Sequence, residues 1–138
     1  MLLQPTDDDA ARFADLLPHL SSARPPDLAA LGKIVSSGTV TVFVARANGT
    51  VVGTLSLATF AVPTGRRAWI EDVVVDPAFR GQGIASQLVA AALALATKTG
   101  CRTVDLTSRP SRSEANQLYE QLGFTKRETN VYRYQLGP

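Results

Sequence analysis

The spacing of apolar positions divides the first 38 residues into two helical segments. In "TDDDAARFADLLPHL", residues 6–20, apolar side chains recur every three or four positions after a group of N-cap candidates. "RPPDLAALGKIVSSG", residues 24–38, repeats the pattern after two prolines and stops at a glycine. We therefore expect two amphipathic helices, with a short apolar strand before them at Leu2 and Leu3.

From residue 39 onward, runs rich in β-branched residues replace the helical spacing. "TVTVFVARANGTVVGTLSLATF", residues 39–60, contains two such runs separated by Asn48-Gly49, a strong hairpin signal. "RAWIEDVVVD" predicts a third strand, and Pro77 closes it. The rest alternates: a helix over residues 83–100, a strand over 101–108, a helix over 112–123 and a last strand over 130–136.

This order of elements predicts an α/β (α+β) fold with one mixed sheet. The strands joined by the hairpin must be antiparallel, whereas a strand, helix, strand sequence requires a crossover connection. A chain of 138 residues suits one domain, and no repeat or linker interrupts it, so we expect a single domain over residues 1–138.

Composition narrows the function classes. The chain is 45% hydrophobic and 19% charged, as in an ordinary globular protein, and its acidic start lacks the features of a signal peptide. We expect a cytoplasmic protein that is not embedded in a membrane. The one cysteine, Cys101, and the one histidine, His19, argue against a disulfide framework and against a metal site. The net charge of +2 is uneven, −1 over residues 1–65 and +3 over the rest, which suits a small polyanionic ligand near the C-terminal half better than a nucleic acid.

A glycine turn lies between the third strand and the long helix, in "VVVDPAFRGQGIASQLVAAAL", residues 73–93. Unpaired N–H groups at the start of a helix bind anions, Gly81 and Gly83 let a ligand approach the backbone, and Arg80 adds positive charge. The alternative is a helix cap that only turns the chain. A P-loop is excluded by the absence of Gly-Lys-Ser or Gly-Lys-Thr. A dinucleotide fingerprint would need a third small residue at Ser86 and a turn directly after its strand, so that interpretation is weak.

The segment "RGQGIA", residues 80–85, resembles the pyrophosphate-binding turn of the GNAT superfamily of acyl-CoA-dependent N-acyltransferases. "RSEANQLYEQLGF", residues 112–124, is similar to the second signature of that family. The resemblance implies a mostly antiparallel central sheet flanked by about four helices, and acetyl-CoA as cosubstrate without a metal. It also implies transfer of the acetyl group to a primary amine by direct attack in a ternary complex.

The resemblance further implies which residues bind CoA. The diphosphate would lie on the turn formed by Arg80, Gly81, Gln82, Gly83, Ile84, Ala85 and Ser86. The pantetheine arm would lie along the backbone of Val73, Val74 and Val75, with a backbone N–H, assigned to Val73, polarising the thioester carbonyl. Asn116 would contact pantetheine or substrate, although the family often has Asn where this chain has Arg112.

Three side chains are candidates for proton transfer. Tyr119 would approach the CoA sulfur and protonate the leaving thiolate; spacing alone would make it a core tyrosine. Glu71 and Asp72 interrupt an apolar strand, and alternation predicts that they point to opposite faces. A carboxylate there is either a general base for the amine or a partner of a nearby arginine. We expect Glu71 to be the base and Asp72 to be the second choice.

The acceptor is left open by the sequence. A compact chain favours a small-molecule amine, with a protein lysine or N-terminus as the alternative. A CoA-binding sensor or interaction module without catalysis is the rival from another class. The resemblance also makes a homodimer an expectation, since dimers are common in the family.

Overall fold

The computed structural model describes residues 1–137, which group into two compact units, one ending at Thr107 and the other beginning at Ser108. The first unit contains three helices, two single 3-10 turns and four strands. In chain order they are α1 (Asp7–Leu16), a turn (Leu17–His19), α2 (Leu28–Ser36), β1 (Val40–Ala47), β2 (Thr50–Val62), β3 (Gly65–Val75), a turn (Pro77–Phe79), α3 (Ile84–Lys98) and β4 (Thr103–Asp105). The second unit contains α4 (Ser113–Gln121).

Side-chain caps set the starts of the first two helices. The Thr6 hydroxyl accepts from the Asp9 amide and the Asp9 carboxylate accepts from the Thr6 amide, which is a reciprocal capping box. Asp27 caps α2 by accepting from the Ala30 amide at 2.8 Å. The two helices predicted within residues 6–20 and 24–38 are confirmed, and α2 starts after the prolines, as predicted.

The four strands form one mixed sheet in the order β1-β2-β3-β4. The first three strands are antiparallel neighbours, and β4 pairs with β3 in parallel after the crossover through α3. Asn48 and Gly49 both have positive φ, 51° and 81°, as a type I′ hairpin turn requires. The expected mixed sheet and its hairpin are therefore confirmed.

One hydrophobic core lies between the first two helices and the sheet. It is a cluster of buried side chains from α1, α2 and three strands, joined by Leu2 near the start of the chain: Leu2, Phe13, Leu16, Leu31, Val42, Val51 and Val74. α3 contacts the sheet at Gly53, where an added Cβ would lie 3.1 Å from Ile84 Cγ2 and 3.4 Å from Leu88 Cδ1. A glycine at that position lets the start of α3 approach β2 closely.

The β2–β3 ladder contains a bulge that matters for the site. Ser56 pairs with Glu71, but the next aligned pair is Thr54 with Val74, so β3 has one residue more than β2 across this step. Asp72 lies in the bulge with a φ of 54°, one of two positive values at non-glycine residues among residues 1–137. This backbone conformation is costly for a residue with a Cβ, and such strain is concentrated at functional sites.

Two predicted strands are absent from the described residues. At the start, residues 2 and 3 form no strand; Leu2 makes a single ladder-like bond from its amide to the Val42 carbonyl at 2.7 Å. Residues 130–136 also form no strand, and their large apolar side chains are 71–92% exposed. The alternation in that segment is real, but a strand needs a neighbour to satisfy its N–H and C=O groups, and no such pairing forms.

Candidate active site

The turn before α3 has the geometry of an anion site. Gly81 and Gly83 have φ values of 79° and 77°, and no atom lies within 4 Å of a Cβ built at either position. Gly83 is the N-cap of α3, so the amides of the next three residues have no intrahelical partner. Arg80 is exposed beside them. Open space in front of glycine backbone, free amides and a cation together fit a diphosphate.

An ion pair holds the end of β3 just before this turn. Asp76 accepts from the Ala78 amide at 2.9 Å and from Arg12 of α1 at 2.7 Å. Arg12 also donates through Nε to the Val51 carbonyl at 2.8 Å. The Ala78 amide bond and then the Arg12 bond lower the pKa of Asp76 below its ordinary value. α1 and β2 thereby fix the point from which the glycine turn departs.

The end of β3 has one open edge. Val74 and Val75 pair with β2, and the Val74 side chain is buried in the core. On the other side, β4 pairs only with Arg67–Trp69, so the later residues of β3 have no β4 partner within the described chain. N–H and C=O groups on that edge are available to an amide-rich ligand.

A cavity of about 410 Å³ lies between the first two helices and the sheet. Its volume is within the range of small-molecule sites. Most of its lining is apolar, with two hydroxyls and two opposite charges: Phe13, Leu17, Pro26, Ala30, Leu31, Ile34, Val42, Thr54, Ser56, Arg24 and Asp72. The Thr54 hydroxyl is already occupied, since it donates to the Phe43 carbonyl at 3.0 Å.

The two candidate carboxylates differ in their surroundings. Glu71 accepts a hydrogen bond from Trp69 Nε1 at 2.8 Å and is not part of the cavity lining. Asp72 lines the cavity and makes no ion pair within residues 1–137. Ser56, the cross-strand partner of Glu71, lines the same cavity as Asp72. The expected alternation, which places Glu71 and Asp72 on opposite faces of β3, is therefore interrupted at the bulge.

The second unit contains the remaining candidates on α4. Tyr119 is buried, and its ring meets Phe124 edge-on with 5.8 Å between the centroids. Burial raises the pKa of its phenol above the ordinary value of 10.0, partly offset by Arg112. Asn116 uses its side-chain amide to donate to the Arg109 carbonyl at 3.0 Å. With its pKa above 10.0, the hydroxyl of Tyr119 is protonated at neutral pH.

The structure brings some sequence candidates together and adds others. The turn of residues 80–86 follows directly from the strand that contains Val73–Val75 and Asp72. Arg24 and Ser56, which share the cavity with Asp72, were not singled out by sequence reasoning. Nothing in the local pattern marks them, because they meet Asp72 only through packing of distant segments. Three or more His, Cys, Asp or Glu side chains do not come together as metal ligands anywhere in residues 1–137.

The fold and the glycine turn that fits a diphosphate are those expected of an acyl-CoA-dependent transferase, and comparison with known proteins gives the family. The sequence profile of the acetyltransferase (GNAT) family matches residues 10–124, so the chain belongs to that family and is an N-acetyltransferase. The family uses acetyl-CoA.

Individual relatives agree with this assignment. The chain is similar to a glucosamine 6-phosphate N-acetyltransferase of Trypanosoma brucei brucei, with 35% identity over 133 residues that cover 91% of this chain and 88% of that one. The structure of a Trypanosoma brucei acetyltransferase superposes with a TM-score of 0.79 at 28% identity, covering 95% and 96% of the two chains. An aminoglycoside N-acetyltransferase solved in complex with CoA gives a TM-score of 0.69 at 26% identity, covering 78% and 84%.

None of the helices in residues 1–137 combines the length and the apolar character needed to cross a membrane.

Proposed function

We propose that this protein transfers an acetyl group from acetyl-CoA to a primary amine of a small molecule bound in the cavity beside Asp72. The observation that supports it most directly is the arrangement on β3. One strand contributes Asp72 to the cavity, has an open edge at Val73–Val75, and leads into the glycine turn before α3. An amine in the cavity and a CoA molecule on that edge and turn would therefore share this strand.

The proposed binding roles follow from the backbone. The amides of residues 81–86 and the Arg80 guanidinium hold the diphosphate, and the free edge of Val73–Val75 holds the pantetheine amides. The Val73 N–H polarises the carbonyl under attack. Acetyl-CoA supplies an activated thioester, which an amine can attack without a metal or a covalent enzyme intermediate.

Two side chains have proposed roles in proton transfer. Asp72 accepts a proton from the amine, directly or through water, since an alkylamine is mostly protonated at neutral pH. Its place in the cavity supports it over Glu71, whose carboxylate already accepts from Trp69. Tyr119 donates its hydroxyl proton to the leaving thiolate, since a phenol is protonated at neutral pH. A thiolate leaves readily, so Tyr119→Phe slows the reaction without abolishing it.

Relatives are named for several acceptors, so the acceptor is a separate question. The names include glucosamine 6-phosphate, an aminoglycoside and thialysine, and one relative is an N-alpha-acetyltransferase. A partly open cavity of about 410 Å³, a volume typical of small-molecule sites, supports a small molecule over a protein segment.

Release of free thiol from acetyl-CoA, measured across a panel of primary amines, tests the proposal. We expect thiol release that depends on the amine, with the mass of the product increased by one acetyl group. Calorimetry with CoA separates the rival functions. Tight CoA binding with no turnover of any amine would support a sensor or interaction module, and absence of CoA binding would contradict the proposal altogether.

Three further expectations are kept as proposals. One catalytic domain over residues 1–138 is supported by the family match, which continues from one compact unit into the other. A cytoplasmic location is supported by the single cysteine, because proteins of oxidising compartments commonly carry disulfides.

A homodimer is supported by the exposed apolar side chains of residues 131–136, and light scattering after size exclusion tests it.

A further inference from the structure

The charges that line the cavity are few and opposite in sign. Arg24 and Asp72 are its two charged residues, and they form no ion pair with each other or with another part of residues 1–137. The remaining lining is apolar except for Thr54 and Ser56. A ligand whose positive group lies near Asp72 would still leave Arg24, the cation of the lining, without a counter-ion.

Most arginines of the first unit have a protein partner, whereas Arg24 has none within the described chain. Residues 1–107 contain seven arginines, and five of them donate side-chain hydrogen bonds to other protein groups: Arg12, Arg46, Arg66, Arg67 and Arg102. Arg24 and Arg80 are the two that make no such bond within the described chain. Arg80 lies at the turn that fits a diphosphate, and Arg24 lies at the cavity.

The backbone around Arg24 is constrained, so its place at the cavity does not depend on a mobile loop. The residue precedes Pro25 and Pro26, which restrict the chain to extended conformations. Pro26 itself lines the cavity, and Asp27 is fixed as the cap of α2 by its bond to the Ala30 amide. Arg24 therefore lies at the cavity lining on a segment whose backbone has few accessible conformations.

Arg24 is exposed, and the apolar lining on one side of it reduces, without removing, the screening by water of a charge pair formed there. A guanidinium offers several N–H donors in a plane and binds carboxylate or phosphate oxygens in pairs. We propose that Arg24 binds an anionic group of the acceptor, which is a primary amine with an apolar body and a carboxylate or phosphate. This inference rests on the proposed function for the amine as the acceptor group. It adds that the acceptor also carries an anionic group, and that Arg24 selects acceptors with such a group.

The test compares four matched amines: an aminoalkyl carboxylate, its carboxamide, an aminoalkyl phosphate and the corresponding alcohol. For each, KM is measured at saturating acetyl-CoA, and Kd is measured by calorimetry with CoA present. In Arg24→Ala we expect KM and Kd for the anionic amines to rise about tenfold and those for the uncharged partners to change less than twofold. The larger of the two anionic effects distinguishes carboxylate from phosphate.

Two variants control the comparison. Arg24→Lys keeps the charge but loses the planar fork, so we expect it to restore part of the preference for anions. Lys33→Ala removes the same formal charge from an exposed position of α2 that does not line the cavity, and we expect no change in preference. A salt titration adds a readout that a folding defect would not move: rising ionic strength should raise KM for anionic amines in the wild type and not in Arg24→Ala.

Two outcomes would overturn the inference. Equal losses for anionic and uncharged amines would make Arg24 a structural residue. A higher KM for acetyl-CoA with unchanged acceptor binding would assign Arg24 to the CoA site. If no amine is acetylated but Arg24-dependent binding of anionic amines is measured, the inference stands and the proposed function fails.

Discussion

The first unit contains two sets of one arginine and one aspartate that differ in their interactions: the first set forms an ion pair, and the second does not. Asp9 of α1 is 3% exposed, and its carboxylate accepts two bonds from Arg46, at 2.8 and 3.3 Å. Arg24 and Asp72 share a cavity and remain without partners in the described chain. Both sets contain one arginine and one aspartate, yet only the first is used to hold helices and strands together.

The difference separates a structural use of charge from one available to a ligand. A carboxylate that is buried must be paired, because loss of its hydration is costly. The Asp9 pair meets this requirement and also joins α1 to the β1–β2 hairpin, since Arg46 donates to the Gly49 carbonyl. Arg24 and Asp72 are exposed, so water satisfies both charges and each stays available to a ligand.

Removal of the cavity carboxylate should have the largest effect on activity. We expect Asp72→Asn to lower kcat/KM by about 100-fold or more, because a general base contributes that much to proton transfer. Thermal unfolding should hardly change, since the carboxylate has no protein partner to lose. Glu71→Gln is the matched control, with an expected loss below about threefold. A larger loss in Glu71→Gln than in Asp72→Asn would identify Glu71 as the base.

Removal of the buried carboxylate should instead affect stability. Asp9→Asn leaves Arg46 without its partner and weakens the capping box, so we expect the free energy of unfolding to fall by about 2 kcal/mol. That corresponds to a melting temperature lower by about 6 °C for a chain of this size. Asp8→Asn changes the same charge at an exposed neighbouring position, and we expect it to cost less than about 0.5 kcal/mol. Equal effects would mean that the helix dipole, not the pair, carries the stabilisation.

Acid titration tests whether the stabilisation by Asp9 depends on its negative charge. The hydrogen bond from Arg46 is the largest cause that lowers the pKa of Asp9 below its ordinary value of 3.8. A lowered pKa in the folded state means that the stabilisation is complete above the unfolded value and is lost as pH falls through the folded one. The gap in unfolding free energy between wild type and Asp9→Asn should therefore be constant above about pH 5 and shrink below pH 3.8. A gap that persists at low pH would contradict an ionic origin.

The ion pair between Arg12 and Asp76 should have a smaller effect, and this effect falls on CoA binding. Arg12→Gln removes the anchor of Asp76 at the end of β3, and we expect Kd for CoA to rise about threefold to tenfold with little change in acceptor KM. Asp76→Asn should reproduce this change. Asp15→Asn breaks only the exposed contact of Arg12 with a residue whose side chain is 66% exposed, so it should leave Kd unaltered. Calorimetry with CoA measures all three.

Local pattern and distant packing contributed differently to what could be predicted. The helices, the Asn48-Gly49 hairpin and the glycine turn depend on residues close together in the chain, and each was predicted. The strand over residues 130–136 was wrong because its alternation says nothing about whether a partner strand lies beside it. The choice between Glu71 and Asp72 could not be made from alternation, because a bulge changes which side chains face the cavity.

By itself, the sequence determined the secondary structure of most of the chain, the turn that fits a diphosphate and the family to which the protein belongs. These depend on short-range hydrogen bonding, backbone preferences and motifs within a few residues. Only the tertiary structure decided that Arg24 and Asp72 line one cavity while Asp9 and Arg46 pair with each other. Burial and distance decide whether a charge is paired, and both arise only when segments far apart in the chain pack together.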